Sequence, residues 1–320
     1  MVFNITECVD FHHGKRIVIT ILVCGHDVVI IMHKEGDALL IQQPVYYPFR
    51  EVIEDNGRIF VNNQLHYEDG KYTIDFEDFE KKIVDNNVKV FILCNPHNPV
   101  GRVWTKEELE KMGDICLKHN VVIMDDEIHC DFTYPGFKFT SFMTLDEKYH
   151  NSLVLYTSPS KTFNVAGLQP ANIIIKNPEL RAAYRKANVA AGYSQGSIMG
   201  QVAVKSVYTK GDEWVNELVE YITGNMNYMR DFVKENFPKA QFVDPEGTYL
   251  TWVDFSGYGF TDEELEHIMV EEAHLWLDSG KVFGPATAQF ERFNLACPRA
   301  TVVKAMEQLK AALDNHTKWA

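Results

Sequence analysis

Four short segments carry residue types that can do chemistry, and each directly follows an apolar run that reads as a strand. They are Tyr46 in Pro44-Val45-Tyr46-Tyr47-Pro48, Asn98 in Asn95-Pro96-His97-Asn98-Pro99-Val100-Gly101-Arg102, Asp126 in Asp126-Glu127-Ile128-His129, and Lys161 in Ser158-Pro159-Ser160-Lys161-Thr162-Phe163-Asn164. An aromatic face, an amide, a carboxylate and an amine are the parts of a small-molecule site. Singly, each is ordinary. A tyrosine after proline usually packs, and an Asn-Pro turn is usually only a turn. A carboxylate pair after a strand usually caps a helix or faces water, and a lysine in a serine-rich loop is usually at the surface. Their common placement weighs against four such coincidences, because open α/β sheets bind ligands outside the carboxyl ends of their strands.

The elements that would position these residues alternate along the chain. Strands are expected at Asp37 to Gln42, Val88 to Cys94, Val121 to Met124, Leu153 to Tyr156 and Asn172 to Ile175. Thr105 reads as a helix cap, with Glu107 and Glu108 in the positive first turn and Leu109, Met112, Ile115 and Cys116 at helical spacing. Further helices are expected at Glu179 to Asn188 and around Gly200 to Tyr208. Short apolar strands separated by amphipathic helices predict an α/β fold with a mainly parallel sheet covered on both faces. After about Tyr208 the texture changes. A long helix at Trp214 to Phe237, strands at Thr248 to Phe255 and Phe290 to Ala296, a helix at Asp262 to Glu272 capped by Thr261, and a closing helix at Ala300 to Leu313 form an α+β pattern. The expected division is a large domain over 1–204, atypical in 1–33, and a smaller C-terminal domain over 205–320.

Composition narrows the partner. The 320 residues are 46% hydrophobic and 24% charged, which suits a globular protein with a sizeable core. The formal net charge of -14 does not suit a nucleic-acid binder, and there is no polybasic stretch for anionic lipid. Cys8, Cys24, Cys94, Cys116, Cys130 and Cys297 contain no CxxC pair and read as thiols of a reducing cytoplasm. His12, His13, His26 and His33 lack ligand spacing, so no metal site is expected. The apolar run Ile17 to Cys24 is far too short to span a bilayer and has no small-residue cleavage site after it; a buried strand or a damaged helix is the better reading.

The Asn-Pro-His-Asn-Pro-Val-Gly turn and the Ser-Pro-Ser-Lys-Thr-Phe-Asn segment resemble signatures of the class I/II aminotransferases, enzymes of fold type I that use pyridoxal 5'-phosphate. Within that family the chain is similar to the MalY/PatB group of cystathionine β-lyases. The narrower likeness is carried by Asp126-Glu127-Ile128-His129, by Lys161 to Gln169, by Pro245-Glu246-Gly247-Thr248-Tyr249 and by Arg292-Phe293-Asn294-Leu295-Ala296-Cys297-Pro298-Arg299. It runs from about Lys34 to the C-terminus. The resemblance implies a seven-stranded, mainly parallel sheet with flanking helices.

It also implies a role for each motif residue. Lys161 would hold the cofactor covalently and later, as a free amine, move the substrate Cα proton. Asp126 would face the pyridine nitrogen and keep it protonated, and Tyr46 would stack on the ring. Asn98 would donate to the phenolic oxygen, with His129, where aminotransferases commonly have tyrosine, acting nearby. Ser158 and Ser160 would bind the phosphate; Gln169 stands where many relatives place a phosphate-binding arginine. Arg292 would grip the substrate α-carboxylate, with Arg299 as second candidate. The family's further N-terminal segment, with the glycine-led helix start that cups the phosphate, is not recognisable before Lys34, and its loss would weaken cofactor binding. Three functions follow from the likeness: a carbon–sulfur β-lyase on cystathionine or cysteine S-conjugates, an aminotransferase, or an inactive homologue with only a binding role. A homodimer is expected, with a small amino acid as substrate.

Overall fold

A computed structural model of the chain describes the backbone at 2–6, 18–22, 27–31, 35–190 and 197–317, with side chains over 35–189 and 197–316. Its main sheet has seven strands. Five are parallel: β4 (Ala38–Ile41), β5 (Ile59–Asn62), β8 (Val90–Cys94), β9 (Val122–Asp126) and β10 (Leu153–Thr157). The antiparallel strand β11 (Pro170–Ile174) follows β10, and β1 (Val2–Thr6) lies outside it. The order across the sheet is β1-β11-β10-β9-β8-β4-β5. The chain thus winds from β4 outward to β5, then returns to the other side of β4 to lay down β8, β9 and β10. That reversal opens a crevice at the carboxyl ends of β4 and β8, where a doubly wound sheet takes its ligand.

Both faces of this sheet are covered, which is why its strands are runs of apolar residues rather than alternations. Along β8, Val90, Ile92 and Cys94 join one apolar cluster, while Phe91 and Leu93 join another. Helices α1 (Pro48–Asp55) and α4 (Pro178–Ala190) supply Phe49, Ile53 and Tyr184 to the first cluster. Helices α2 (Phe76–Asp85) and α3 (Lys106–Lys118) supply Phe79, Ile83, Leu109 and Met112 to the second. The expected cap of α3 is present as a full capping box: Thr105 Oγ1 accepts from the Glu108 N–H at 3.1 Å and the Glu108 carboxylate accepts from the Thr105 N–H at 2.8 Å.

The C-terminal region is built on an antiparallel sheet of β12 (Gln241–Val243), β13 (Leu250–Asp254), β15 (Phe290–Asn294) and β14 (Asp278–Ser279), in that order. A third core joins it to α6 (Asp212–Asn236) and α8 (Arg299–Thr317) through residues such as Met226, Met229, Val302 and Met306. Thr261 caps α7 (Asp262–His267) as expected, and the segment continues to Glu272 as a wider π turn. Two small hairpins complete the strands: β2 (Val18–Leu22) with β3 (Asp27–Ile31), and β6 (His66–Glu68) with β7 (Lys71–Thr73). The apolar run at Ile17 to Cys24 is therefore a strand over its described part. Cys8, Cys24 and the four N-terminal histidines, together with the remainder of the stretch in which no phosphate-cupping helix start is recognisable, lie outside the described residues. Helix α5 (Ile198–Lys210) passes through residues 204 and 205 without a break, so the change of texture falls inside a helix and the chain turns only at Gly211.

Candidate active site

Four parallel strands deliver the sequence motifs to one edge of the sheet. Tyr46 follows β4, Asn98 follows β8, Asp126 ends β9 with His129 just beyond it, and Lys161 follows β10. Together with Arg292 of β15 they line a single cavity of about 190 Å³. Arg292 lies on β15 directly opposite Asp278 of the two-residue β14, the edge strand of the small sheet. Its Nη1 donates to Asn98 Oδ1 at 2.9 Å, its Nη2 to the Asp278 carboxylate, and its guanidinium lies 5.0 Å from the Phe283 ring centre.

Burial sets the charges here. Asp126 is 5% exposed, and its Oδ1 accepts from the Ile128 N–H at 3.1 Å. Burial pushes its carboxyl up to about 7, against the pull of that hydrogen bond and of the Lys161 charge. A cationic partner would return it to the ionised state. Burial also pushes His129 down to about 3, with the positive charges of Lys161 and Arg292 adding to the effect, so its imidazole is neutral. Its Nδ1 is buried and has no hydrogen-bond partner among the described residues. A cavity that leaves such an atom unpaired beside a raised carboxyl is suited to a polar ligand.

The cavity is also lined by residues not anticipated as site residues, among them Tyr47, Tyr249 and Asp278. Tyr249 packs edge-on against His129, with ring centres 5.4 Å apart, and against Phe132 at 5.0 Å; burial raises its phenol to about 12. Its place at the end of Pro245-Glu246-Gly247-Thr248-Tyr249 was the available signal. Asp278 had none, since a two-residue edge strand leaves no periodicity to read.

Ser158, Ser160 and Arg299 do not line the cavity. The Ser158 hydroxyl donates to the Pro170 carbonyl, accepts from the Ser160 N–H at 3.0 Å and lies 2.8 Å from Ser160 Oγ. The two serines therefore shape the loop that precedes Lys161. Arg299 corrects the expectation of a second carboxylate-binding arginine. It begins α8 and packs on α6, its Nε donating to Asn225 Oδ1 at 2.7 Å and its guanidinium lying 5.1 Å from the Tyr228 ring centre. Asn225 in turn donates to the carbonyls of Leu295 and Cys297, both at 2.9 Å, so Arg299 braces the end of its own motif.

The Lys161 loop is held from two sides. The Thr162 hydroxyl donates to Asp131 at 2.6 Å, and the Trp214 indole of α6 donates to the Thr162 carbonyl at 3.2 Å. His97 Nε2 donates to the Pro44 carbonyl at 2.9 Å and ties the Asn98 loop to the Tyr46 loop. Burial holds that imidazole down to about 4, so it is neutral while it does so.

The sequence model of the family described as aminotransferase class I and II matches residues 24–309. The chain belongs to this family. Among its members, cystathionine beta-lyase PatB of Bacillus subtilis is 41% identical over 278 residues, covering 87% of this chain and 72% of the relative. Protein MalY of Escherichia coli is 31% identical over 282 residues, covering 87% and 71%. The crystal structure of cystalysin from Treponema denticola, which contains a pyridoxal 5'-phosphate cofactor, superposes with a TM-score of 0.86 at 38% identity and covers 88% of this chain and 72% of that one. The fold is that of these family members: a mainly parallel α/β sheet with a small antiparallel sheet behind it. Among the described residues, no helix is long and apolar enough to cross a membrane.

Proposed function

We propose that this protein is a pyridoxal-phosphate-dependent carbon–sulfur β-lyase that takes cystathionine or other cysteine S-conjugates to pyruvate, ammonia and a thiol. The observation that supports it best is the meeting of Lys161, Asp126, Asn98 and Arg292 on one small cavity, in a chain whose relatives include cystathionine β-lyases. The bound cofactor would supply an electron sink for the substrate Cα carbanion. Lys161 would hold the cofactor and, as a free amine, would remove the Cα proton. Asp126 would face the pyridine nitrogen, and a protonated nitrogen would be the cationic partner that keeps this buried carboxylate ionised. Tyr46 would stack on the ring, while Asn98 and the neutral His129 would serve its phenolic oxygen. Ser158 and Ser160 are the phosphate candidates, which requires them to exchange part of their present contact with Pro170. Arg292 takes the substrate carboxylate in a bidentate grip, oriented by Asn98 and Asp278.

The same residues would serve an aminotransferase up to loss of the Cα proton. Supplying cystathionine and assaying pyruvate and free thiol, with and without a keto acid, separates the two. Pyruvate and thiol formed without a keto acid support the lyase; conversion of the keto acid to its amino acid, with no thiol released, means that the enzyme is an aminotransferase. Full cofactor occupancy with no turnover moves the reading to a binding role.

We further propose a large cofactor-binding domain and a smaller C-terminal domain divided near residue 205, in a homodimer. The four described cysteines, Cys94, Cys116, Cys130 and Cys297, are free thiols, which fits the reducing cytoplasm in which we place the protein.

A further inference from the structure

The cavity holds few charges that could choose among substrates. Among its described lining residues the cations are Lys161 and Arg292, and His129 is neutral. The Arg292 side chain is only 13% exposed, and both terminal nitrogens already have partners, Asn98 Oδ1 and the Asp278 carboxylate. Each terminal nitrogen carries a second hydrogen, so the fork can still take one α-carboxylate. It has no capacity for a second. Asp278 is fixed opposite Arg292 by the backbone register of β14 on β15, and its side chain is 44% exposed. It stands on the wall of the cavity and also on a neighbouring cleft that includes Glu263, Glu266 and Glu291. A net negative group carried beyond Cβ would therefore meet a fixed carboxylate and, among the described residues, no further cation, and like charges brought together weaken binding.

From this placement we infer that Asp278 sets the class of side chain the site accepts, admitting far ends that are neutral, cationic or, as in cystathionine, zwitterionic, and turning away those with a net negative charge. The inference rests on the proposed reading of the cavity as a site for cysteine S-conjugates. By the same logic aspartate and glutamate are poor ligands, which separates this site from one built for dicarboxylates. Asp278 is thus a specificity-determining residue, and its hold on Arg292 is a second, positioning role.

Three thioethers of L-cysteine test it: the S-methyl, S-(2-aminoethyl) and S-carboxymethyl conjugates. In the wild type, kcat/KM for the carboxymethyl conjugate should fall below that for the methyl conjugate by about fivefold or more, the size expected for a half-exposed charge. The aminoethyl conjugate should match or exceed the methyl one, and the gap should narrow as salt is raised. Asp278→Asn loosens Arg292 and raises KM for all three, so the readout is the ratio between conjugates; the carboxymethyl penalty should largely disappear. Calorimetric titration of the same three compounds gives the binding order whether or not turnover occurs. Protein without cofactor would defeat the lyase reading, whereas the titration addresses Asp278 on its own. Equal binding of the three, binding of none, or a variant that keeps the wild-type ratio would overturn the inference.

Discussion

At the scale of single residues, Lys161 carries the sharpest expectation. Lys161→Ala should abolish the borohydride-trapped cofactor adduct, and mapping that adduct in the wild type to any other lysine would refute the assignment. Asp126→Ala should leave the chain folded, since the side chain accepts only one backbone hydrogen bond in the described structure, yet slow Cα-proton loss on the order of a hundredfold. Isotope exchange of the substrate Cα hydrogen reads that step directly. Glu291 links burial to pH. Burial, then Glu266 and Asp278, push its carboxyl from the ordinary 4.5 up to about 8. Between those values the folded chain binds more protons than the unfolded one. Its contribution to stability is therefore complete below the lower value and declines as pH rises to the higher one. Glu291→Gln removes that slope, so from about pH 5 to about pH 8 the variant's Tm should fall less than the wild type's. A Tm that tracks the wild type across the range would mean that this carboxyl is not raised.

At the scale of elements, the site depends on two loops that approach closely. Gly101 has φ +74°, and a Cβ there would lie 2.6 Å from Pro245 Cβ and 2.9 Å from Pro245 Cα. Beside it Arg102 Nε donates to Glu246 at 3.0 Å, its Nη2 reaches both Glu108 oxygens at 3.0 Å, and Glu246 also accepts from the Val103 N–H at 2.8 Å. This seam fixes the Asn98 loop against the segment that carries Tyr249. Gly101→Ala should cost on the order of 2 kcal/mol in denaturant unfolding, from left-handed backbone strain before any clash is counted. Activity should fall further than stability alone explains, because Asn98 and Tyr249 both move. An alanine variant with wild-type unfolding would show that the loops yield. Most of these elements were legible in the sequence. The buried parallel strands are continuous apolar runs, and the caps at Thr105 and Thr261 announce their helices. The strands at Ile59–Asn62, His66–Glu68 and Asp278–Ser279 were not anticipated, being short and defined by their partners rather than by local pattern.

At the scale of the whole molecule, the expectation is a homodimer by closed two-fold symmetry. Sedimentation equilibrium should show association that strengthens with concentration; a monomer throughout would count against it. Within one chain, the strand ends that carry Tyr46, Asn98, Asp126 and Lys161 are legible without any tertiary contact. Each of those positions follows from a local signal, an apolar run closed by polar or proline residues. The sequence also marks Arg292 as the candidate for the substrate carboxylate. Folding sends Arg292 and Arg299, seven residues apart, to different places: β15 carries one to the cavity, while α8 turns the other onto α6. Folding alone likewise accounts for Asp278 and for the contact between Asn98 and Arg292, which lie 194 residues apart. Pairing across an edge strand and closure of two sheets around one cavity are properties of long-range register, and no local pattern of residue types encodes which side chain arrives there.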